Sequence, residues 1–330
     1  QWLCNCTLER YRRNKLRMQR IAYYSRDCLH EFLARHPFDY GRSQGYLQLF
    51  RSRFDEDMAA PALALLEEAG IAHQRLSAAQ CVATEPGLQH ARIEPRSGLY
   101  LPDDEAGDCA VFARQLRRLC EEMGVQFRFG TQVSGLRVQG GQVQGLQVSS
   151  AGQAGQLACD ALVVAAGVDS HALLAPLGIR VPLYPVKGYS ATIPVRFPEA
   201  APRAAVMDES LKTAITRMGD VVRVAGTAEL GDDRLQLRAA CLHTLRQVMR
   251  DWFPLAGDLD DAQFWVGRRP MTPDGPPLLG PTPVRNLFLN LGHGSTGWAM
   301  SLGSGRVVAD LITGTPPAID IDGLTLARYP

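Results

Sequence analysis

Near its C-terminus the chain reads VGRRPMTPDG at residues 266–275 and NLGHGSTGW at residues 290–298. The apolar residues 287–289 predict a short buried strand before the second stretch, and the residues after it predict a helix through Leu311. Glycines crowded ahead of a helix bring several backbone N–H groups and the positive end of a helix dipole to one point. The pattern therefore predicts a site for an anion or for the electron-rich edge of a ring, with Arg269 just upstream.

The composition is that of an ordinary soluble globular protein. The 330 residues are 46% hydrophobic and 21% charged, and the formal net charge is +1. We expect two domains with cores of their own and no attraction to nucleic acid. The sequence contains no run of about 18 apolar residues, so it predicts no membrane-spanning helix. The eight cysteines are scattered, so we predict reduced thiols in a cytoplasmic protein and no metal site.

A long amphipathic helix is predicted between Thr7, as its N-cap, and Pro37, because apolar residues recur there at helical spacing. The other face of this helix carries six cations, which are Arg10, Arg12, Arg13, Lys15, Arg17 and Arg20. A face in contact with solvent and a face that meets anionic lipid both agree with this pattern.

Hydrophobic periodicity and turn residues place further elements along the chain. They predict strands at 46–50, 125–129, 133–138, 143–148, 189–193 and 221–224, and helices at 54–69 and from the cap Asp108 to Gly124. The strands 133–138 and 143–148 are expected to pair across a Gly140-Gly141 turn.

Two segments indicate the fold class. Residues 161–167 are continuously apolar, as expected for a strand that is buried on both faces of a parallel sheet, which implies α/β layering. The section 184–264 alternates apolar residues with turn residues, which predicts a second domain on a mixed or antiparallel sheet.

Three motifs, in this order along the chain, carry a resemblance to a known family. They are YPVKGY at 184–189, RPMTPDG at 269–275 and GHGSTGW at 292–298. Through them the chain resembles the FAD-dependent D-amino-acid oxidoreductases, and most of all their bacterial dehydrogenase branch, over nearly its whole length. The resemblance implies an α/β fold with a Rossmann-like parallel sheet that binds FAD, and an interleaved α+β substrate domain on a mixed or antiparallel sheet.

The resemblance also implies where the two domains lie. The FAD-binding domain is expected at 1–36, 98–180 and 273–330, and the substrate domain at 37–97 and 181–272. Members of the family begin with a strand, a GxGxxG loop and a helix that hold the FAD pyrophosphate. This chain shows no such unit. We therefore expect an N-terminally incomplete FAD-binding domain, through a fragment, a misplaced start or a truncated gene.

The chemistry implied by the resemblance is oxidative deamination of a D-amino acid such as D-alanine. A hydride passes from the substrate Cα to flavin N5, the imine hydrolyses to a 2-oxo acid and ammonia, and the electrons pass to a quinone or respiratory acceptor. Arg269 is implied to bind the substrate carboxylate in a two-pronged pair, and Tyr189 to reach the carboxylate or cover the flavin face. The structural alternatives are a salt bridge for Arg269 and a core position for Tyr189.

The resemblance assigns a further group of residues to the cofactor. The glycine turn at 292–298 would lie near flavin N1 and the C2 carbonyl, where negative charge grows on reduction. A glycine-rich helix entry that only permits close packing is the alternative. The end of the strand at 161–167 would approach the dinucleotide, and the main chain of Val133 would hold the adenine edge. The predicted cofactor-binding residues are Val133, Ala166, Gly167, Gly292, His293, Gly294, Ser295, Thr296, Gly297 and Trp298.

Two other functions stay open on the sequence alone. One is an amine oxidoreductase of the same fold that acts on glycine, sarcosine or proline, because each of these substrates also carries a carboxylate. The other is a cofactor-free remnant that serves as an interaction module, because a parallel sheet that lacks a strand exposes an apolar face and an edge. The basic first helix also agrees with peripheral contact at the cytoplasmic face of the bacterial inner membrane.

Overall fold

The structure, a computed structural model, describes residues 2–231 and 234–329. The chain folds into two units, each assembled from separate stretches of sequence. Unit 1 comprises Gln1–Phe38, Arg118–Val186 and Arg269–Pro330, and unit 2 comprises Asp39–Arg117 and Lys187–Arg268. Within the described residues, no helix combines the length and the hydrophobicity that crossing a bilayer requires.

The helices and strands are numbered in chain order. The α-helices are α1 (Leu8–Arg35), α2 (Arg53–Glu68), α3 (Ala78–Thr84), α4 (Cys109–Glu122), α5 (Ser170–Leu174), α6 (Ala239–Trp252) and α7 (Gly297–Thr313). The strands are β1 (Ser43–Phe50), β2 (Gln74–Ser77), β3 (Ser97–Ala106), β4 (Thr131–Gln139), β5 (Gln142–Ser150), β6 (Gln153–Ala158), β7 (Leu162–Val164), β8 (Tyr184–Pro194), β9 (Ala205–Asp208), β10 (Thr213–Met218), β11 (Val221–Glu229), β12 (Gln263–Met271), β13 (Leu278–Pro281) and β14 (Leu287–Leu291).

Unit 2 is built around a large mixed sheet with the strand order β12-β8-β11-β10-β9-β1-β3-β2. β1 pairs parallel with β9 and antiparallel with β3. Alternate residues of β11, such as Val222 and Val224, are fully buried and belong to one core with Trp252 of α6. Because burial of each such side chain contributes about 1.5–3 kcal/mol, this core fixes the register of the strands.

Unit 1 contains a small sheet in which β14 lies between β13 and β7. β7 runs parallel to β14, with Val164 opposite Leu289. The helix that follows β14, α7, packs on α1, and a Cβ at Gly303 would lie 2.8 Å from the backbone nitrogen of Ser25. Glycine at that position therefore lets the two helices approach each other closely. The strands β4, β5 and β6 form a separate antiparallel sheet of the same unit.

Much of the predicted secondary structure is confirmed, together with the α/β fold class and its mixed sheet. β4 and β5 form the predicted hairpin, and φ is 58° at Gly140 and 71° at Gly141, as a two-residue turn of this kind requires. The Thr7 side chain accepts a hydrogen bond from the Arg10 N–H (3.4 Å) at the start of α1. Asp108 accepts first-turn N–H groups of α4 at 2.8 and 3.0 Å.

Two strand predictions require correction. Residues 125–129 form no strand and belong to none of the described sheets, and the side chains of Val125, Phe127 and Phe129 are exposed. The apolar run 161–167 forms only the three-residue strand β7, since only these residues have a partner on β14. In both segments the apolar composition predicted more strand than the described sheets contain.

The expected domain boundaries also require a correction. Residues 98–117 were expected in the FAD-binding domain, but they lie in unit 2, because β3 pairs antiparallel with both β1 and β2 of that unit. The other boundaries of unit 1 fall at 38, 186 and 269, where 36, 180 and 273 were expected.

Candidate functional site

Arg269 lies near the end of β12, at the point where the chain enters unit 1. Side chains alternate between the two faces of a strand, so Arg268 and Arg269 point in opposite directions. Burial lowers the pKa of Arg269, which indicates that its guanidinium lies in a partly desolvated environment. A guanidinium in such a place binds a carboxylate more strongly than one in bulk water does.

The backbone next to Arg269 is joined directly to the glycine turn. The Gly294 N–H donates a hydrogen bond to the Pro270 carbonyl (3.1 Å), and Met271 forms an isolated antiparallel bridge with His293. All of these residues belong to unit 1. The fold therefore brings the predicted carboxylate-binding arginine and the predicted flavin-binding turn to adjacent backbone positions.

The turn itself depends on glycine. Gly292 has a φ of 77° and Gly294 a φ of 56°, a region that other residues adopt only with strain. A Cβ at Gly292 would lie 2.7 Å from Cγ2 of Thr272, and a Cβ at Gly294 would lie 2.5 Å from Sδ of Met271. The turn thus packs tightly against the segment that follows Arg269.

The start of α7 fits an electron-rich ligand edge. The N-cap residue Thr296 makes no side-chain cap, and its hydroxyl donates instead to the His293 carbonyl (3.4 Å). The N–H groups in the first turn of a helix have no acceptor within the helix, and the dipole is positive there, so this helix start suits the electron-rich edge of a ligand. Nearby on β14, the buried Asn290 Oδ1 accepts no hydrogen bond from the described residues. Donors and one unsatisfied acceptor suit a ring such as isoalloxazine, which carries carbonyl oxygens and an N–H group.

His293 is a half-buried, neutral member of the turn. Its Nε2 shares a hydrogen bond with Ser304 Oγ of α7 (3.0 Å). Burial lowers the pKa of His293 to about 4, so the imidazole carries no charge at neutral pH. This geometry agrees with a hydrogen-bonding role for His293, and no carboxylate of the described residues bonds its ring to orient it as a base.

The loop after Arg269 is held by residues that the sequence reasoning missed. Thr272 Oγ1 accepts from the Gly275 N–H (3.1 Å) and donates to the Pro276 carbonyl (3.0 Å). Asp274 forms an ion pair with Arg328 (Nε to Oδ2, 2.7 Å), and each of the two side chains is only 7% exposed. More than fifty residues separate these partners in the sequence, so no local pattern could identify the pair.

The other predicted cofactor residues also lie in unit 1. β7 and β14 are parallel neighbours, so the residues after β7, Ala166 and Gly167, lie at the same edge of the sheet as the turn after β14. In α/β sheets ligands bind at this carboxyl edge. Gly167 has a φ of 57° and begins a short 3-10 helix, and Val133 lies on β4 opposite Val148. The contacts of these residues with a cofactor stay a prediction.

Tyr189 is a buried residue of unit 2, with 1% exposure. Its hydroxyl donates to the Glu229 carboxylate and lies 3.3 Å from the Gln236 carbonyl. The fully buried Lys187 also binds Glu229 (3.0 Å) and the carbonyl of Arg234 (3.1 Å). Burial, followed by the bond to Glu229, raises the pKa of Tyr189. The hydroxyl is engaged within its own unit, as expected for a core tyrosine, and a catalytic role for it stays a prediction.

Comparison with known proteins shows the family of the chain. The family model described as "FAD dependent oxidoreductase" matches residues 2–311, so the chain belongs to the FAD-dependent oxidoreductase family. The chain is 48% identical over 330 residues to a D-amino acid dehydrogenase of Granulibacter bethesdensis. The matched region covers 100% of this chain and 78% of that protein. It is 47% identical over 330 residues to a D-amino acid dehydrogenase of Vibrio vulnificus, with the same two coverages.

Solved structures show the same fold. Glycine oxidase from Geobacillus kaustophilus matches with a TM-score of 0.80 at 24% identity, over 94% of this chain and 83% of that one. L-proline dehydrogenase from P. horikoshii matches with a TM-score of 0.80 at 16% identity, over 94% and 82% of the two chains. At these identities the likeness concerns the fold alone.

Proposed function

We propose that this protein oxidises D-amino acids to 2-oxo acids and ammonia with FAD as its cofactor, and that the electrons pass to a quinone or another respiratory acceptor. Membership of an FAD-dependent oxidoreductase family and relatives at 48% identity that are D-amino acid dehydrogenases support this proposal. The structural observation that carries it is the hydrogen bond from the Gly294 N–H to the Pro270 carbonyl (3.1 Å), beside Arg269.

Arg269 would bind the substrate carboxylate through two parallel N–H···O bonds. Such a pair fixes both the position and the orientation of an amino acid, and so determines which face of Cα is presented for reaction. The turn residues Gly292 to Gly297 and the start of α7 would hold the edge of the flavin that becomes electron-rich on reduction. The flavin supplies the hydride acceptor; the protein contributes binding, orientation and a partly dry environment.

An amine oxidoreductase for glycine, sarcosine or proline is the second candidate, since the solved structures with this fold include a glycine oxidase and an L-proline dehydrogenase. Those two proteins are only 24% and 16% identical to this chain. The relatives at 47–48% identity are D-amino acid dehydrogenases. The closer sequence similarity therefore favours a D-amino acid.

The test is anaerobic reduction of the flavin-loaded protein. We expect D-alanine to bleach the visible flavin band, and we expect glycine, sarcosine, L-proline and L-alanine to act much more slowly. Arg269→Ala should lower kcat/KM by roughly two to three orders of magnitude, because it removes a partly buried carboxylate-binding charge, and Arg269→Lys by less. The matched control is Arg268→Ala, which removes a neighbouring charge on the opposite face of β12.

Three results would count against the proposal. A flavin-loaded protein that no D-amino acid reduces would remove the substrate assignment. Equal losses in the Arg268→Ala and Arg269→Ala variants would remove the role of Arg269. Folded protein that takes up no flavin would favour the interaction module without a cofactor. Comparing quinone analogues with oxygen as reoxidants of the reduced protein tests the acceptor.

Peripheral contact with the cytoplasmic face of the inner membrane is a lesser part of the proposal. The outer face of α1 keeps Arg12, Arg13 and Lys15 exposed, whereas Arg17 and Arg20 form ion pairs with Asp322 (3.3 Å) and Asp320 (2.8 Å). Basic residues near an anionic surface contribute about 1 kcal/mol each. Flotation with vesicles that contain phosphatidylglycerol tests this contact, and protein that stays wholly at the bottom of the gradient would remove it.

A further inference from the structure

The first half of α1 presents a row of cations to a cavity of unit 1. Arg10, Arg13, Asn14 and Arg17 follow the spacing i, i+3, i+4 and i+7, which places them along one face of a helix. They line a surface cavity of about 340 Å³ together with Arg328. None of these residues belongs to β12 or to the glycine turn; the cavity shares Arg328 and Asp274 with the loop that follows Arg269.

Two of the four guanidinium groups are fixed by the fold. Asn14 is buried, and its Oδ1 accepts a hydrogen bond from Arg17 (3.2 Å), which also pairs with Asp322 (3.3 Å). Arg328 donates to the carbonyls of Pro276 (2.8 Å) and Pro277 (3.2 Å) and pairs with Asp274. These two side chains are therefore ordered before any ligand arrives.

The other two cations of the lining are not neutralised by an acidic partner. Arg10 donates to the Cys4 carbonyl (2.9 Å), and neither Arg10 nor Arg13 forms an ion pair with a carboxylate of the described residues. Two carboxylates, Asp274 and Asp322, thus face four guanidinium groups, and the cavity keeps an excess of positive charge. A concave surface with such an excess attracts anions.

We propose that this cavity binds a phosphate-bearing anion. Arginine presents a planar fork of N–H donors that matches the oxygens of a phosphate group, and phosphate offers more acceptor oxygens and more charge than a single carboxylate does. Several guanidinium groups around one cavity therefore suit a phosphate group. A free phosphate compound and the headgroup of an anionic phospholipid share this chemistry, and the experiment separates them.

The experiment is isothermal titration of the purified protein with inorganic pyrophosphate. We expect saturable binding that weakens as the NaCl concentration rises, because salt screens exposed charges. Arg13→Gln should weaken the affinity by about tenfold or more, since a hydrogen bond to a charged group contributes about 1.5–3 kcal/mol, and Arg13→Lys should restore part of it. The matched control Arg12→Gln removes an equal charge from a residue outside the lining, and should bind pyrophosphate as the wild type does. Because Arg13 is exposed, its replacement does not disturb the core.

A parallel sedimentation assay uses phosphatidylcholine vesicles with and without phosphatidylglycerol, on the same variants. Binding of pyrophosphate that depends on Arg13 supports a soluble phosphate ligand. Binding of phosphatidylglycerol vesicles alone, again dependent on Arg13, supports a headgroup. The proposal is overturned if neither probe binds, or if Arg13→Gln and Arg12→Gln weaken binding equally, since that result reports general charge rather than a site. Arg269→Ala should bind pyrophosphate normally, which separates this cavity from the substrate site.

Discussion

The helices α2 of unit 2 and α7 of unit 1 begin in opposite ways. At the start of α2 the Ser52 hydroxyl accepts from the Asp55 N–H (3.3 Å), and the Asp55 carboxylate accepts from the Ser52 N–H (2.9 Å), which forms a closed capping box. At the start of α7 the Thr296 hydroxyl turns back to the His293 carbonyl (3.4 Å) and caps nothing. A side chain caps the start of α2, and no side chain caps the start of α7.

The two helices also differ in the charge of their first turns. α2 carries Asp55 and Glu56 in its first turn, whereas α7 carries no acidic residue there. Carboxylates at a helix N-terminus offset the positive end of the dipole, so α2 is neutralised and α7 keeps its positive potential. The open end is also the one whose turn binds the backbone beside Arg269. A helix start that lacks a cap therefore indicates a candidate ligand site when a second functional residue, here Arg269, lies beside it.

The largest expected effect comes from replacing a turn glycine. Gly292→Ala forces a side chain onto a φ of 77° and places its Cβ 2.7 Å from Cγ2 of Thr272, which is buried and hydrogen-bonded at both sides. We expect flavin affinity to fall by more than about tenfold, because the strain of about 1–2 kcal/mol and the displaced turn act together. Flavin fluorescence titration measures this loss.

The control for this change lies at the other end of the same helix. Gly314 follows α7 with a φ of 73°, and a Cβ there would meet nothing within 4 Å. Gly314→Ala should cost about 1–2 kcal/mol of stability through backbone strain, with unchanged flavin affinity. If both variants lose flavin equally, the turn has no special role and the open start of α7 is only a packing feature.

A pH experiment tests how the turn is held. Burial lowers the pKa of His293 to about 4, below the value of about 6.5 in an unfolded chain. As the pH falls, the unfolded chain takes up this proton first, so the stabilisation is complete above pH 6.5 and is lost toward pH 4. Between pH 6.5 and pH 5 we expect the free energy of unfolding to fall by about 2 kcal/mol more in the wild type than in His293→Gln. Urea unfolding at several pH values measures the difference; parallel slopes for the two proteins would show that the imidazole is not buried in solution.

The parts of the fold that follow from neighbouring residues were predictable. The Gly140-Gly141 pair defines its hairpin because few other residues tolerate two successive positive φ values, and Thr7 and Asp108 mark helix starts through their own side chains. Arg269 and the glycine turn were predicted as a site for a related reason, since an arginine before a proline and glycines before a helix are local patterns, and their role stays a prediction. Their contact through Pro270 is tertiary, and only the structure shows it.

The predictions that required correction depend on distant partners. Residues 125–129 have the composition of a strand, but a strand forms only in a ladder with another strand, and these residues belong to none of the described sheets. The segment 98–117 joins unit 2 because β3 pairs with strands that lie twenty or more positions away in the sequence. The Asp274 and Arg328 pair is of the same kind. Local patterns do not determine which distant residues meet.

The smallest expected effect converts the open helix start into a closed one. Thr296→Asp gives α7 the kind of carboxylate that closes α2, and a side-chain cap contributes about 0.5–1 kcal/mol. We expect the variant to be slightly more stable without cofactor and to bind flavin about tenfold more weakly, because the new charge opposes the electron-rich edge of the ring. Thr296→Asn offers a neutral cap and should weaken flavin binding less. In unit 2, Ser52→Ala should cost about 1 kcal/mol of stability and leave flavin binding unchanged. A Thr296→Asp variant that binds flavin as tightly as the wild type would show that the cofactor does not use this helix end, and the contrast between α2 and α7 would then concern stability alone.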